Sequence, residues 1–157
     1  MARSIAVEQS RAIPVAVEEA FAKTLPIPLP VIFSRWYGLI PPIKQVRDQT
    51  GDWHEAGQTR TVMLVGGGSA QEVLISIDPP HSFGYTLSGI KGPLALLVSL
   101  IEGEWTFTPA GTGTSVSWRW TVHARSAAAA PALPALGAMW HGYARQALEK
   151  LSVELLR

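Results

Sequence analysis

Apolar and polar residues alternate most cleanly in the C-terminal third of the chain. Val116, Trp118, Trp120 and Val122 fall on one face of an extended run, and Ser117, Arg119, Thr121 and His123 fall on the other. That is the two-residue period of a strand with one buried side. The run before it behaves alike, with Trp105 and Phe107 alternating with Glu104, Thr106 and Thr108. Extended runs are predicted over 43–50, 58–65, 70–77, 82–88, 97–108 and 114–125. Turn sequences separate them: Gly51-Asp52, Gly66-Gly67-Gly68, Asp78-Pro79-Pro80, the stretch from Gly89 to Pro93, and Pro109 to Gly113. Connections this short join antiparallel neighbours, because a parallel crossover needs a dozen residues or more.

Other elements flank this meander. Residues 4–13 alternate loosely and stop at Pro14, which predicts a first strand. Pro14, the acidic pair Glu18 and Glu19, and Val17, Phe21 and Leu25 at spacing four predict a short helix over 15–23. Pro26, Pro28 and Pro30 exclude regular structure from 25 to 30. A second short helix is predicted over 31–37, with Phe33, Trp36 and Tyr37 available for burial, and Pro41-Pro42 closes it. An Ala/Pro linker spans 127–134. Beyond it Leu136, Trp140, Ala144, Ala147, Leu151 and Leu155 form one stripe at spacings of three and four, the mark of an amphipathic helix. About 25 residues make a rod of roughly 37 Å, long enough to cross a sheet.

The fold class is therefore α+β, in one domain over 1–157: a strand, two short helices, a six-stranded meander and a long C-terminal helix. This order is that of the helix-grip fold. Short motifs strengthen the likeness: Gly51-Asp52-Trp53, Gly57-Gln58-Thr59-Arg60, Asp78 to Tyr85, and Gly103-Glu104-Trp105-Thr106-Phe107-Thr108-Pro109 followed by Gly113-Thr114 and Trp118. With these motifs the chain resembles the SRPBCC (START-like, pollen-allergen-like) superfamily, and within it the bacterial polyketide cyclase/dehydrase-like branch, from about residue 4 to 155. The resemblance implies a curved antiparallel sheet of about seven strands wrapped around the C-terminal helix, enclosing a cavity for an apolar or amphipathic small molecule.

Composition narrows the function further. Hydrophobic residues make up 47% of the chain and the net charge is +1, which excludes intrinsic disorder. Thirteen Lys and Arg against 12 Asp and Glu leave no charge excess to drive nucleic-acid binding. With no cysteine, thiolate catalysis, disulfides and Cys-bound metals are excluded. The longest apolar stretch, 94–101, falls far short of the roughly 20 residues a membrane span needs, and residues 1–5 do not read as a signal peptide. A cytoplasmic protein is expected.

Six tryptophans are many for 157 residues, and bulky aromatics on a curved sheet suit the wall of an apolar pocket. The expected ligand-binding residues are Trp36, Phe83, Tyr85, Trp105, Phe107, Trp118, Trp120, Trp140 and Tyr143, with Trp36 on the second short helix at the pocket's opening. Each of these aromatics also suits plain core packing.

Candidate chemistry is sparse. No Gly-x-Ser-x-Gly elbow occurs, and Gly66-Gly67-Gly68-Ser69 reads as a hairpin turn, not a phosphate cradle. Asp52, His54 and Glu55 read as a solvated loop without metal, His81 as a turn residue and His141 as a surface or rim group. No cofactor is expected. Arg60 and Glu72 flank the Gly66–Ser69 turn and are expected to pair across an exposed hairpin. Arg119 and His123 share the polar face of the last strand; they would reach the cavity only if the face assignment were inverted.

Three functions remain open: a small-molecule binder; a cyclase or dehydratase on a hydrophobic substrate, using His123, Arg119, Tyr85 or Glu72; and a non-catalytic module with a filled core that acts by forming a homodimer.

Overall fold

The computed structural model describes residues 3–157; Met1 and Ala2, which head the stretch read above for a signal peptide, lie outside the described residues. Strand β1 (Ser4–Ile13) leads into helix α1 (Val17–Thr24) and a single helical turn, α2 (Leu29–Ile32). Six strands follow: β2 (Ile43–Arg47), β3 (Thr59–Leu64), β4 (Ser69–Asp78), β5 (Ser82–Lys91), β6 (Val98–Ala110) and β7 (Gly113–Ala124). Helix α3 (Leu133–Leu155) ends the chain. The strands form one antiparallel sheet in the order β1-β7-β6-β5-β4-β3-β2, so the first and last strands are neighbours. This is the helix-grip fold.

Hairpin turns fix the register. Arg60 sits directly opposite Glu72, Tyr85 opposite Gly103, and Trp105 opposite Trp118. Register shifts interrupt the β2–β3, β4–β5 and β6–β7 ladders. Bulges of this kind bend a strand and increase its twist, which lets the sheet curl.

The apolar face runs as the alternation predicts. Val116, Trp118, Trp120 and Val122 on β7, and Trp105 and Phe107 on β6, are all buried. So is every member of the α3 stripe, from Leu136 to Leu155. Helix α3 lies on β1 and β7 and against α1 and α2, and makes no comparable contact with β3 or β4. The far strands therefore curve away from the helix, and the space between them is the site.

Three local expectations need correction. Helix α2 lies at Leu29–Ile32, not at 31–37, with a proline in its first turn. A proline there loses no hydrogen bond and has a φ suited to the helix, so the run of prolines did not exclude structure up to residue 30. Trp36 consequently sits in the irregular stretch after α2. The Ala/Pro linker at 127–134 contains a short 3-10 turn, Ala130–Ala132, that runs straight into α3. For the same reason Pro134 is tolerated in the first turn of α3.

Candidate functional site

Beneath the N-terminal half of α3 the sheet encloses a cavity of about 420 Å³. Its floor is the inner face of β3, β4 and β5: Arg60 and Val62, Ala70 and Glu72, Tyr85 and Leu87. Trp105, Trp118 and Trp120 close one side, and Leu136, Met139 and Tyr143 of α3 form the roof. Residues from the stretch 24–43 cover another side, and residues from 64–69 and 90–97 line the rest.

Aromatic contacts set the shape of that wall. Trp105 and Trp118 stack with centroids 5.2 Å apart and planes 11° from parallel, while Phe33 and Trp140 press on Trp118 at 5.1 and 5.0 Å. Offset and tilted pairs at these separations are favourable beyond the area they bury. Of the nine aromatics named from the sequence, Trp36, Phe83, Tyr85, Trp105, Trp118, Trp120 and Tyr143 line the cavity. Phe107 and Trp140 do not. Phe107 packs on Phe21 and Phe83, and Trp140 is wholly buried behind Trp118 and Trp120. Both are part of the core layer that supports the wall. Trp36 is 52% exposed.

A polar feature stands out in this apolar wall. The Tyr85 hydroxyl accepts hydrogen bonds from Trp118 Nε1 at 2.9 Å and Trp120 Nε1 at 3.0 Å. To reach them, its ring crosses over Gly103 on the neighbouring strand, where an added Cβ would lie 2.0 Å from Tyr85 Cζ. Only glycine leaves that passage open. Gly103→Ala is therefore expected to push Tyr85 off both indoles, at about 1–3 kcal/mol in stability. The expected signature is a shifted tryptophan emission spectrum, and an unchanged spectrum and melting temperature would contradict it.

Arg60 and Glu72 lie beside Tyr85. They do pair across the hairpin, with Arg60 Nε donating to Glu72 Oε1 at 2.6 Å. The expectation of an exposed pair is corrected: the two side chains are 6% and 5% exposed, because this hairpin turns its Arg60–Glu72 face into the fold. Arg60 is held further by Trp53, whose ring lies 3.8 Å beneath the guanidinium carbon, a cation–π contact. Burial pushes the Glu72 carboxyl above its usual value, and Arg60 pulls it only part of the way back. Burial, and then the Glu72 charge, push the Tyr85 phenol well up. Burial does the same for Tyr143, whose hydroxyl donates to the Pro41 carbonyl at 3.1 Å. Both phenols therefore stay protonated.

The other candidates lie elsewhere. His123 Nε2 contacts Glu102 Oε1 at 2.6 Å and Arg119 is exposed, both on the outer face of β7. The inverted face assignment does not occur, and neither side chain reaches the cavity. Asp52, His54 and Glu55 are exposed, and among the described residues no three His, Asp or Glu side chains gather as metal ligands. Among the described residues no helix is long and apolar enough to cross a membrane.

Sequence reasoning overlooked Trp53 and the aliphatic lining from Val62, Ala70 and Leu87. Alternation on β3 and β4 carried the signal: Arg60, Val62 and Leu64 share a face, as do Ala70, Glu72 and Leu74.

This geometry can be set beside known proteins. The family model described as "Polyketide cyclase / dehydrase and lipid transport" matches residues 4–155. The chain belongs to this family. Its fold is shared with a major latex-like protein of Panax ginseng, at a TM-score of 0.74 and 13% identity over 99% of this chain and 100% of that one. It is shared too with norcoclaurine synthase of Thalictrum flavum, solved in complex with dopamine and hydroxybenzaldehyde, at 0.72 and 14% over 98% and 87%. A protein of Nitrosospira multiformis matches at 0.63 and 17%, over 96% of each chain. A search of curated proteins finds no match.

Proposed function

We propose that this member of the polyketide cyclase/dehydrase and lipid transport family binds one hydrophobic or amphipathic small molecule in the cavity between sheet and C-terminal helix. The observation that carries this reading is the cavity itself. About 420 Å³ is left open in an interior where native packing leaves few voids larger than a water molecule. The volume lies within the range of small-molecule sites, roughly 300–1,000 Å³, and its lining is apolar with few polar groups, as such sites are. The family's link to lipid transport supports an apolar guest.

The opening fits the same reading. Trp36, Leu39 and Val65 are exposed and also line the cavity. Apolar side chains held at such a rim give a greasy guest a continuous path from the surface inward. Tyr37 fastens this stretch to α3 by lying over Gly142, where an added Cβ would sit 2.0 Å from its ring.

Titration with N-phenyl-1-naphthylamine, a neutral dye that brightens in apolar surroundings, tests the proposal. Saturable binding of one dye per protein, with quenching of the Trp118 and Trp120 emission, is expected. Linear uptake without saturation would overturn it.

A further inference from the structure

We infer that the rim of the cavity's opening docks on a bilayer surface that carries anionic lipid, its apolar loop tips entering the interface and its cations meeting the headgroups. This goes beyond the proposed function, because the docking surface lies outside the cavity and needs no guest within it.

Three loops meet at one end of the strands: residues 34–42, the β3–β4 turn at 65–68 and the β5–β6 connection at 91–97. The Val65 N–H donates to the Pro42 carbonyl at 3.1 Å, and a Cβ on Gly92 would lie 2.8 Å from Gly68 Cα. Arg125, just past β7, fastens the third loop. Its backbone N–H donates to the Leu97 carbonyl at 2.8 Å and its Nε to the Ala95 carbonyl. All three loops contribute to the cavity lining, so together they form the rim of its opening.

Two properties of the rim select the partner. One is its apolar surface. Eight large apolar side chains are exposed among the described residues, and five of them, Trp36, Tyr37, Leu39, Val65 and Leu96, stand on these loops. Leu39 and Leu96 are 80% and 76% exposed. Apolar side chains gathered in one patch mark a contact surface. Tryptophan and tyrosine suit the headgroup level of a bilayer, where one end of the ring is dry and the other wet.

The other property is the sign of its charge. Residues 20–47, 79–101 and 105–148 contain no Asp or Glu, so the charges on these loops, Arg35 and Lys91, and on the adjoining Arg125 are all positive. Lys91 and Arg125 are exposed, and neither has an ion-pair partner among the described residues. The acids Asp48, Asp52, Glu55 and Asp78 lie at the other end of the strands, after β2 and at the end of β4. Glu102, nearer the opening on β6, is held by His123, and Glu72 inside the cavity by Arg60. A second copy of the chain docked rim to rim would set like charges against each other. An anionic bilayer neutralises them, and each cation near such a surface raises partition about fivefold.

Cosedimentation of the full chain with sucrose-loaded vesicles, with no cavity ligand added, tests this. Vesicles of phosphatidylcholine alone are compared with vesicles in which roughly 30% of the lipid is phosphatidylserine. We expect the wild-type protein to partition onto the mixed vesicles at least about tenfold more strongly, and the preference to fall as salt rises. Leu96→Glu and Arg125→Glu should each weaken partition onto the mixed vesicles by at least about fivefold. Neither side chain lines the cavity, so both variants should keep the wild-type circular dichroism spectrum and the wild-type uptake of N-phenyl-1-naphthylamine. Equal partition onto both vesicle types, no partition onto either, or folded variants that bind as well as the wild type would overturn the docking and leave the cavity reading intact. A dimer in sedimentation equilibrium that Leu96→Glu dissolves would give the rim to a second copy and overturn it as well. A wild-type protein that binds the mixed vesicles yet takes up no dye would uphold the docking and overturn the cavity reading alone.

Discussion

Replacing Arg60 or Glu72 alone is expected to cost about 3–5 kcal/mol of folding stability, whereas the double variant Arg60→Met, Glu72→Leu should be as stable as the wild type or more so. The asymmetry comes from desolvation. Both side chains are buried, so removing one leaves the other as an unpaired charge with no water to solvate it. Removing both abolishes the penalty and returns apolar surface to an apolar wall. Urea midpoints of the four proteins at constant m-value decide the matter. Costs that simply add in the double variant would show that the pair is solvated through the cavity.

The pH dependence has a definite sign. The folded-state pKa of Glu72 lies above its ordinary value of 4.5. A raised carboxyl contributes stability that is complete below the unfolded pKa and is lost as pH rises through the folded one. The double variant lacks this group. Its advantage over the wild type should therefore grow as pH rises from below 4.5 toward neutrality, and an advantage that shrinks over that range would contradict the burial argument.

Trp118→Ala is expected to be the most damaging truncation in the aromatic wall, at about 3–5 kcal/mol. The indole is 2% exposed and touches four other rings, those of Phe33, Trp105, Trp120 and Trp140. It also supplies one of the two N–H groups that hold Tyr85. The loss corresponds to a fall in melting temperature on the order of 10 °C for a chain of this size. Trp36→Ala is the matched control. Its side chain is 52% exposed, so its stability should change by less than about 0.5 kcal/mol. Similar losses for the two variants would mean that Trp118 does not hold the wall together.

Strong local patterns made the architecture legible. Period-two alternation in β6 and β7 told the buried face from the wet one, and every position in the α3 stripe is buried, although the helix also buries Leu133, Gly137, Gly142, Tyr143, Leu148 and Ser152 outside it. Glycine and proline clusters placed the hairpins, because turns need conformations that few other residues adopt. Helix α2 was misplaced because a proline in a first helical turn looks the same in sequence as a proline that breaks a helix. The site was less legible. Nothing in the sequence tells an aromatic that faces a void from one that faces a neighbour, so Phe107 and Trp140 read the same as Trp105 and Trp118. Burial of the Arg60–Glu72 pair depends on how far the sheet curls, a property of all seven strands together. Tyr85 crossing Gly103 is a cross-strand contact that only the register reveals.

Filling the cavity from its floor gives the most direct measurement. Ala70 lines it with a small side chain on the inner face of β4, so Ala70→Trp should lay an indole across the open volume. With the far-ultraviolet circular dichroism spectrum preserved, the titration with N-phenyl-1-naphthylamine should lose its saturable phase in this variant. A folded Ala70→Trp protein that still takes up one dye with wild-type affinity would place the binding site somewhere other than beneath the C-terminal helix.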